Sequence, residues 1–215
     1  MIKSDHIRAI AELSESEGVF TTAQAARMGI PRDALHDAAE SGRLERVMHG
    51  AYRLVGSGSA QQDELVAIWK LTAPSLFAYE RMRPDAWDGI AIGGSTAASL
   101  QGLGDFFLSP YRIYAPRRIN SRNKVASHAV RRVPREDVSF ADGLPVTRPE
   151  RTVFDLVADH EDMSLVADAL CDAIDGKSGF DVMKLADLFA VKYGTSKASR
   201  ILDEFGVSSD VGRKV

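Results

Sequence analysis

Residues 21–54, TTAQAARMGIPRDALHDAAESGRLERVMHGAYRL, carry the signals that decide the predicted fold of the N-terminal part of the chain. Thr21 and Thr22 can cap a helix, because a threonine oxygen accepts a hydrogen bond from a free backbone N–H two or three residues further on. Gly29 favours the end of that helix, since glycine enters the left-handed region at little cost. Pro31 suits the first turn of a second helix. The stretch therefore predicts two helices joined by a tight turn.

The remainder of this stretch predicts the apolar face of the second helix and then a β-hairpin. Apolar residues recur at helical spacing at Ala34, Leu35, Ala38 and Ala39. Two short runs, 45–48 and 51–55, then flank His49 and Gly50, a pair that suits a two-residue hairpin turn. Two helices, a short turn with glycine and a hairpin are the parts of a winged helix-turn-helix, which we assign to residues 1–56.

This module predicts a DNA interface, because winged helices place the second helix in the major groove and the hairpin on the backbone. Three carboxylates accompany Arg32 and His36 on the second helix, which makes it a poor electrostatic match to phosphate. Arginines of the hairpin compensate for this, since DNA affinity is largely phosphate neutralisation, and base contacts are left to Arg32 and His36. The candidate DNA-binding residues are Thr22, Gln24, Arg32, His36, Arg43, Arg46, His49 and Arg53. The alternative is a winged helix used only for protein contacts.

Length and composition are those of a globular protein with one large or two small domains. The 215 residues are 45% hydrophobic and 27% charged, and no apolar run approaches the roughly 20 residues of a membrane span. The N-terminus lacks the apolar segment of a signal peptide. The single cysteine, Cys171, excludes an internal disulfide, and its helical context predicts a small buried apolar residue. We expect a cytoplasmic protein without a membrane contact.

The rest of the chain predicts a second domain of mixed strands and helices. The Gly/Ser-rich residues 57–60 are predicted to be a linker, and residues 61–215 to be a C-terminal α+β domain in which strands precede helices. Leu76–Tyr79 is one candidate strand. Asp142-Gly143 is the strongest short hairpin signal in the chain, and the whole chain is therefore assigned to the α+β class.

A basic segment in the second domain is a candidate interaction patch. Between Arg112 and Arg135 the sequence has eight basic residues and no acidic one. The segment is either a solvated surface or a site for a protein, RNA or DNA partner, since exposed loops often carry binding residues. The candidate residues are Arg117, Arg118, Arg122, Lys124, Arg131 and Arg132. Arg151 differs, because it lies at a helix start and is expected to pair with a carboxylate such as Asp155.

Catalytic and metal sites are not indicated by the sequence. The segment Gly93–Ser95 followed by Asp105 superficially resembles a nucleotidyltransferase signature, but that chemistry requires at least two neighbouring carboxylates. No Gly-Lys-Ser/Thr follows, as a phosphate-binding loop would require. The five histidines lack the spacing of helical metal ligands. We therefore expect a protein that is not an enzyme and that needs no cofactor or metal.

Three segments of the chain together resemble the AbiEi-type antitoxins of bacterial type IV toxin–antitoxin systems. The first runs from Thr22 to Leu54, with the pattern T-x-x-x-A-A-x-x-G-I-x-x-x-x-L followed by S-G-R-L-x-R-V-x-x-G-x-Y-R-L. The others are STAASLQGLGDF at Ser95–Phe106 and GLPVTRPERTVFDLV at Gly143–Val157. The resemblance extends over residues 20–160, and the first and third segments in this order are its most specific part.

The resemblance implies a DNA-binding transcriptional repressor of its own operon. Its partner gene would encode a nucleotidyltransferase toxin, whose effect the second domain counteracts with or without direct contact. The expected partners are thus operator DNA and the cognate nucleotidyltransferase toxin, and the expected solution state is a monomer. Some relatives carry a C-terminal nuclease-like domain, for which this chain is too short.

Overall fold

The computed structural model describes residues 3–56, 62–120, 124–176 and 179–207. It divides the chain into two compact units, Met1–Asp88 and Gly89–Val215. The predicted linker, residues 57–60, lies outside the described residues. Within the described ranges, no helix combines the length and the apolar character that crossing a bilayer requires.

The first unit has the predicted order of helix, helix and hairpin, preceded by a further helix and a short strand. Its elements are α1 (Lys3–Glu17), β1 (Phe20–Thr21), α2 (Thr22–Arg27), α3 (Arg32–Glu40), β2 (Leu44–Met48), β3 (Ala51–Leu54), α4 (Asp63–Leu71) and α5 (Ala78–Met82). The strands form an antiparallel sheet in the order β1-β3-β2. The hairpin is therefore extended by a third strand, β1, which connects α1 to α2.

Local signals explain the geometry of α2 and the turn that follows it. The Thr21 hydroxyl accepts from the Gln24 backbone N–H, and the Gln24 side chain accepts from the Thr21 N–H, which completes a capping box. Gly29 has a φ of 74°, a left-handed conformation that glycine adopts without strain. Leu35 of α3 is buried against α1 and β1, at Leu13 and Phe20 among others. These features confirm the predicted cap and turn.

Helices α4 and α5 belong to the first unit, and polar contacts, one of them buried, hold them there. The Lys70 Nζ donates to the Glu17 carboxylate at 2.6 Å and to the Glu17 carbonyl at 2.8 Å, and both side chains are 3% exposed. Arg27 of α2 makes two hydrogen bonds to Glu80 of α5, at 2.6 and 2.9 Å. The boundary between the units therefore follows Asp88, and the predicted boundary at residues 57–60 is wrong.

The second unit contains a five-stranded sheet and a group of helices, mostly in the predicted order of strands before helices. Its elements are β4 (Ala91–Ile92), α6 (Gly94–Gln101), β5 (Tyr111–Ala115), β6 (Ala126–Val130), β7 (Val138–Ala141), β8 (Leu144–Thr147), α7 (Pro149–Ala158), α8 (Met163–Gly176), α9 (Val182–Tyr193) and α10 (Thr195–Glu204). Helix α6 interrupts the run of strands. Asp142 and Gly143 have positive φ values of 50° and 77°, which confirms the predicted hairpin turn.

The sheet of the second unit is mixed, in the order β6-β5-β4-β8-β7. Strands β5 and β6 are parallel, as are β4 and β8, whereas the β4–β5 and β7–β8 pairs are antiparallel. Apolar residues of α6 and of α7–α10 form one core, which includes Leu156, Val166, Phe189 and Leu202. Helix α7 places one face in this core and presents carboxylates at Asp155 and Asp159 toward arginines of β5 and of the segment after β6.

Candidate nucleic-acid interface

A groove beside α3, here called the α3–hairpin groove, brings together four of the predicted DNA-binding residues. It has a volume of about 640 Å³ and runs between α2, the start of α3 and the hairpin. The predicted residues that line it are Thr22, Arg32, Arg46 and His49. Residues that are separated along the chain thus share one surface, with Arg32 from α3 and Arg46 from β2 on its two sides.

Hydrogen bonds fix the hairpin turn against the start of α2. The Thr22 backbone N–H donates to the Gly50 carbonyl at 2.9 Å, and the Thr22 hydroxyl donates to the same oxygen at 3.4 Å. Nη2 of Arg46 lies 2.6 Å from Nδ1 of His49, and both residues are exposed. Because arginine can only donate, His49 accepts at Nδ1, and its Nε2 is left to donate toward solvent or a ligand.

The charges of α3 are divided between its two sides. Asp33 and Asp37 line a second groove, of about 520 Å³, together with Arg43 and residues of α1. His36 and Glu40 are exposed and 3.3 Å apart, so that they form an ion pair when the histidine is protonated. Arg32, the arginine of α3, lines the α3–hairpin groove and therefore lies on the side of α3 away from the two aspartates.

Two of the predicted DNA-binding side chains are engaged in the protein's own structure. Gln24 is completely buried, and its amide donates to the Leu76 carbonyl at 2.8 Å, so its assignment as a DNA contact is wrong. Arg53 donates to Glu45 at 2.6 Å and lies 3.1 Å from Asp63 of α4. Its charge is neutralised locally, which contradicts its predicted role as a free phosphate contact. The sequence does not indicate that Asp63 pairs with Arg53, because this contact depends on how α4 packs on the hairpin.

The basic segment of the second unit is divided between an internal network and the surface. Arg131 donates to Asp155 at 2.8 Å and also to Asp159, and Arg112 donates to Asp159 at 3.2 Å. The assignment of Arg131 to a partner patch is therefore wrong. The exposed members of the predicted patch are Arg117, Arg118, Lys124 and Arg132. Arg122 lies outside the described residues.

The internal network is centred on two carboxylates, Asp155 of α7 and Asp159 at its C-terminal end. Arg151 donates from Nε to Asp155 at 3.0 Å, which confirms the predicted pairing, and from Nη1 to Asp137 at 3.1 Å. Burial raises the pKa of Asp155 to about 6, although the Arg151 and Arg131 guanidinium groups act in the opposite direction. The spacing of four residues between Asp155 and Asp159 on one helix is the sequence signal that could have identified both as partners for arginines.

Tyr114 explains the two glycines that superficially resembled a nucleotidyltransferase signature. The Tyr114 hydroxyl donates to Asp159 at 2.9 Å, and burial together with nearby carboxylates raises its pKa. A Cβ atom at Gly93 would lie 1.9 Å from the Tyr114 ring, and one at Gly94 would lie 2.9 Å from the hydroxyl. Gly93 and Gly94 are thus required by the close approach of the ring to the backbone.

Other candidate chemical sites are not supported in the described part of the chain. No group of three or more His, Cys, Asp or Glu side chains there is placed to hold a metal ion. Cys171 is exposed on α8, so the prediction that it is buried is wrong. Its helical pattern was correct, but the apolar face of α8 passes through Val166, Ala169, Leu170 and Ala173 and leaves Cys171 outside the core.

Comparisons with known proteins agree with the resemblance in the N-terminal part. Residues 8–55 match the sequence model of AbiEi antitoxin transcriptional regulators, which confirms the predicted resemblance for this part of the chain. No curated protein matches the chain. The crystal structure of the RV2827C protein from Mycobacterium tuberculosis has a similar fold, with a TM-score of 0.57 and 17% identity. The alignment covers 96% of this chain and 78% of that one, and at this identity the likeness shows the fold alone.

Proposed function

We propose that this chain is a cytoplasmic transcriptional autorepressor and the antitoxin of a type IV toxin–antitoxin system. The first unit acts as a winged helix-turn-helix that binds operator DNA, and the second counteracts a nucleotidyltransferase toxin encoded beside it. Both activities are binding functions that need no catalytic centre or cofactor. The chain acts as a monomer in solution.

The observation that carries this proposal is the α3–hairpin groove. Arg32 and Arg46 face it from two elements, whereas Asp33 and Asp37 lie in the other groove. A winged helix contacts DNA with its second helix and its hairpin, and phosphate neutralisation supplies most of the affinity. Two arginines, Arg32 and Arg46, thus line the surface where the hairpin of such a module meets the DNA backbone.

The residues in this interface have separate roles. Arg46 and His49 on the hairpin contact phosphates, and Thr22 holds the turn that presents them. Arg32, at the first turn of α3, reaches a base edge, where an arginine makes its commonest specific contact with guanine. His36 contacts a base from the next turn of α3, and Arg43 reaches the backbone on the opposite side of the helix.

A gel shift with the DNA upstream of the protein's own gene tests operator binding. Arg46→Ala is expected to weaken binding to every sequence and to reduce the slope of log K against log salt by about one, for one lost phosphate contact. Arg53→Ala is the matched control in the same hairpin, because the Arg53 side chain is already paired with Glu45 and Asp63. No shift at low salt with micromolar protein would contradict operator binding.

A second candidate function is a winged-helix adaptor that binds another protein and never contacts DNA. The acidic outer face of α3, with exposed Asp33, Asp37 and Glu40, favours this alternative. A neighbouring gene product that binds the full chain at an affinity unaffected by Arg46→Ala, with no gel shift, would support the adaptor.

The antitoxin activity is tested separately from DNA binding. Co-expression of the full chain with an adjacent nucleotidyltransferase gene is expected to restore growth that the nucleotidyltransferase alone arrests. Arg46→Ala should preserve this protection, because the change affects only the first unit. Growth arrest that persists despite normal amounts of the folded chain would contradict the antitoxin assignment.

A further inference from the structure

The geometry points to a second binding surface, on the outer edge of β6, for an extended acidic segment of a partner protein that adds to the sheet as a sixth strand. Strand β6 is at one end of the strand order, and only β5 pairs with it among the described residues. An edge strand of this kind presents backbone donors and acceptors that another strand can use. This inference is independent of DNA binding by the first unit.

The register of the sheet shows which backbone groups face outward. The Tyr111 N–H donates to the Val125 carbonyl, and the Arg131 N–H donates to the Ala115 carbonyl, at the two ends of the β5–β6 pair. In a parallel pair, alternate residues of a strand bond to the same neighbour. The intervening bonds to β5 are thus made by Ser127 and Ala129. The N–H and C=O groups of Ala126, His128 and Val130 point away from β5.

Exposed basic side chains lie at both ends of this edge. Because β5 and β6 are parallel, the exposed Arg117 and Arg118 after β5 and the exposed Arg132 after β6 lie at the same end of the two strands. The exposed Lys124 precedes β6 at the other end. Asp155 and Asp159 already pair with Arg131 and Arg112. These four surface cations therefore select a partner with acidic residues.

Backbone and side-chain features favour a protein strand over a nucleic acid. Nucleic acids have no alternating N–H and C=O groups with which to continue a ladder, whereas added peptide strands gain affinity from such bonds. The strand sequence ASHAV has no Phe, Tyr or Trp on which bases could stack, and its one ring, that of His128, is only partly accessible. Val130 is 65% exposed at the end of the strand, where an apolar partner side chain would cover it and a phosphate would not.

The proposal predicts the composition of the partner segment. Side chains of a β-strand alternate between faces, so β-branched residues should alternate with polar ones along the bound segment. Carboxylates should be concentrated at the end of the segment that lies beside Arg117, Arg118 and Arg132. A selection of phage-displayed random peptides of roughly ten residues, long enough for one strand, on the immobilised full chain is expected to enrich this composition.

Variants of the protein test the edge and the charges separately. Arg117→Glu with Arg118→Glu is expected to weaken a selected peptide at least about tenfold, as measured by fluorescence anisotropy. Arg148→Glu with Arg200→Glu, an equal charge change at exposed positions elsewhere in the second unit, should leave its affinity unchanged within about twofold. His128→Pro removes an outward N–H without removing a bond to β5 and should also abolish binding, whereas His128→Ala should not.

Changes to the selected peptide, rather than to the protein, provide a test that cannot disturb protein folding. N-methylation of alternate backbone nitrogens in the selected peptide is expected to abolish binding in one of the two possible alternations and to preserve it in the other. Failure to select any peptide, selection of neutral or basic peptides, or equal binding by both N-methylated forms would overturn the proposal. Binding of an oligothymidine that the Arg117→Glu, Arg118→Glu pair weakens would also overturn it and assign the patch to nucleic acid.

Discussion

The carboxyl of Asp155 is fully buried on α7, where Arg131 and Arg151 both donate to its Oδ1. Burial raises its pKa to about 6. An aspartate in an unfolded chain has a pKa of about 3.9, so the folded state binds the proton more tightly. Protonation of Asp155 therefore stabilises the fold fully below about pH 4, and this contribution is lost as the pH rises through about 6.

Asp155→Asn is expected to remove this pH dependence, because an amide takes up no proton in the window. The free energy of unfolding of the natural protein, relative to the variant, should fall by roughly 2 kcal/mol between pH 4 and pH 7. Urea unfolding followed by circular dichroism at several pH values measures this difference. Asp168→Asn, at an exposed position of α8, is the control. Equal pH dependence of the natural protein and Asp155→Asn would contradict the assignment.

Single-residue contacts could be predicted from the sequence only where the partners are close along the chain. Arg151 and Asp155 are one helical turn apart, and their pairing follows from spacing alone. The contacts of Arg131 with Asp155 and of Lys70 with Glu17 join residues 24 and 53 positions apart. Such pairs depend on how strands and helices pack. For this reason no local pattern predicts that Glu17 is buried, although its side chain is only 3% exposed.

The outer face of α3 is acidic, and arginines lie on both sides of it. Asp33 and Asp37 lie on the side of Arg43, and Arg32 lies on the side of Arg46. If α3 enters the major groove, these carboxylates repel the phosphates on either side of it and reduce binding to any sequence. In that arrangement the same repulsion would limit occupancy of non-specific sites and would improve the ratio of specific to background binding.

Asp33→Asn with Asp37→Asn is therefore expected to tighten non-specific DNA binding by several-fold at low salt, and less at high salt. Fluorescence anisotropy with a duplex that lacks the upstream sequence measures this change. Asp168→Asn provides the control for an acidic charge removed from the second unit. If the double variant binds such a duplex no better than this control does, the outer face of α3 does not approach DNA.

Elements were predictable where caps and turns mark their ends. The cap at Thr21 and the left-handed Gly29 define α2 and the turn before α3, and both are local signals. The sequence of Leu76–Tyr79 indicates a candidate strand, but α5 begins at Ala78. Two contacts favour the helix: the Glu80 carboxylate accepts from the Phe77 N–H at the helix start, and Arg27 of α2 holds the same carboxylate through a tertiary contact. The hydrogen bond from Arg27, together with the one from the Phe77 N–H, lowers the pKa of Glu80 to about 2.

The boundary between the two units lies where packing places it, and not where the amino-acid composition suggests a linker. The Gly/Ser-rich residues 57–60 suggest a linker, yet α4 and α5 follow them and belong to the first unit. Helix α4 packs on strands β1–β3, and α5 is bonded to α2 through Glu80 and Arg27. The carboxylate of Glu17 accepts from Lys70 and Gln24 as well as from the Ala78 N–H. A buried carboxylate without such partners is strongly destabilising, which makes α4 and α5 part of the N-terminal fold.

A fragment of residues 1–88 is therefore expected to fold alone, whereas a fragment of residues 1–56 is not. The shorter fragment loses Lys70 and leaves the Glu17 carboxylate without its cation. Thermal unfolding by circular dichroism and the dispersion of amide-proton NMR signals distinguish the two outcomes. In the longer fragment, Lys70→Met should cost roughly 3–5 kcal/mol, and Lys70→Met with Glu17→Gln should recover part of that loss. If residues 1–56 unfold cooperatively at the same temperature as residues 1–88, α4 and α5 are not required by the N-terminal fold.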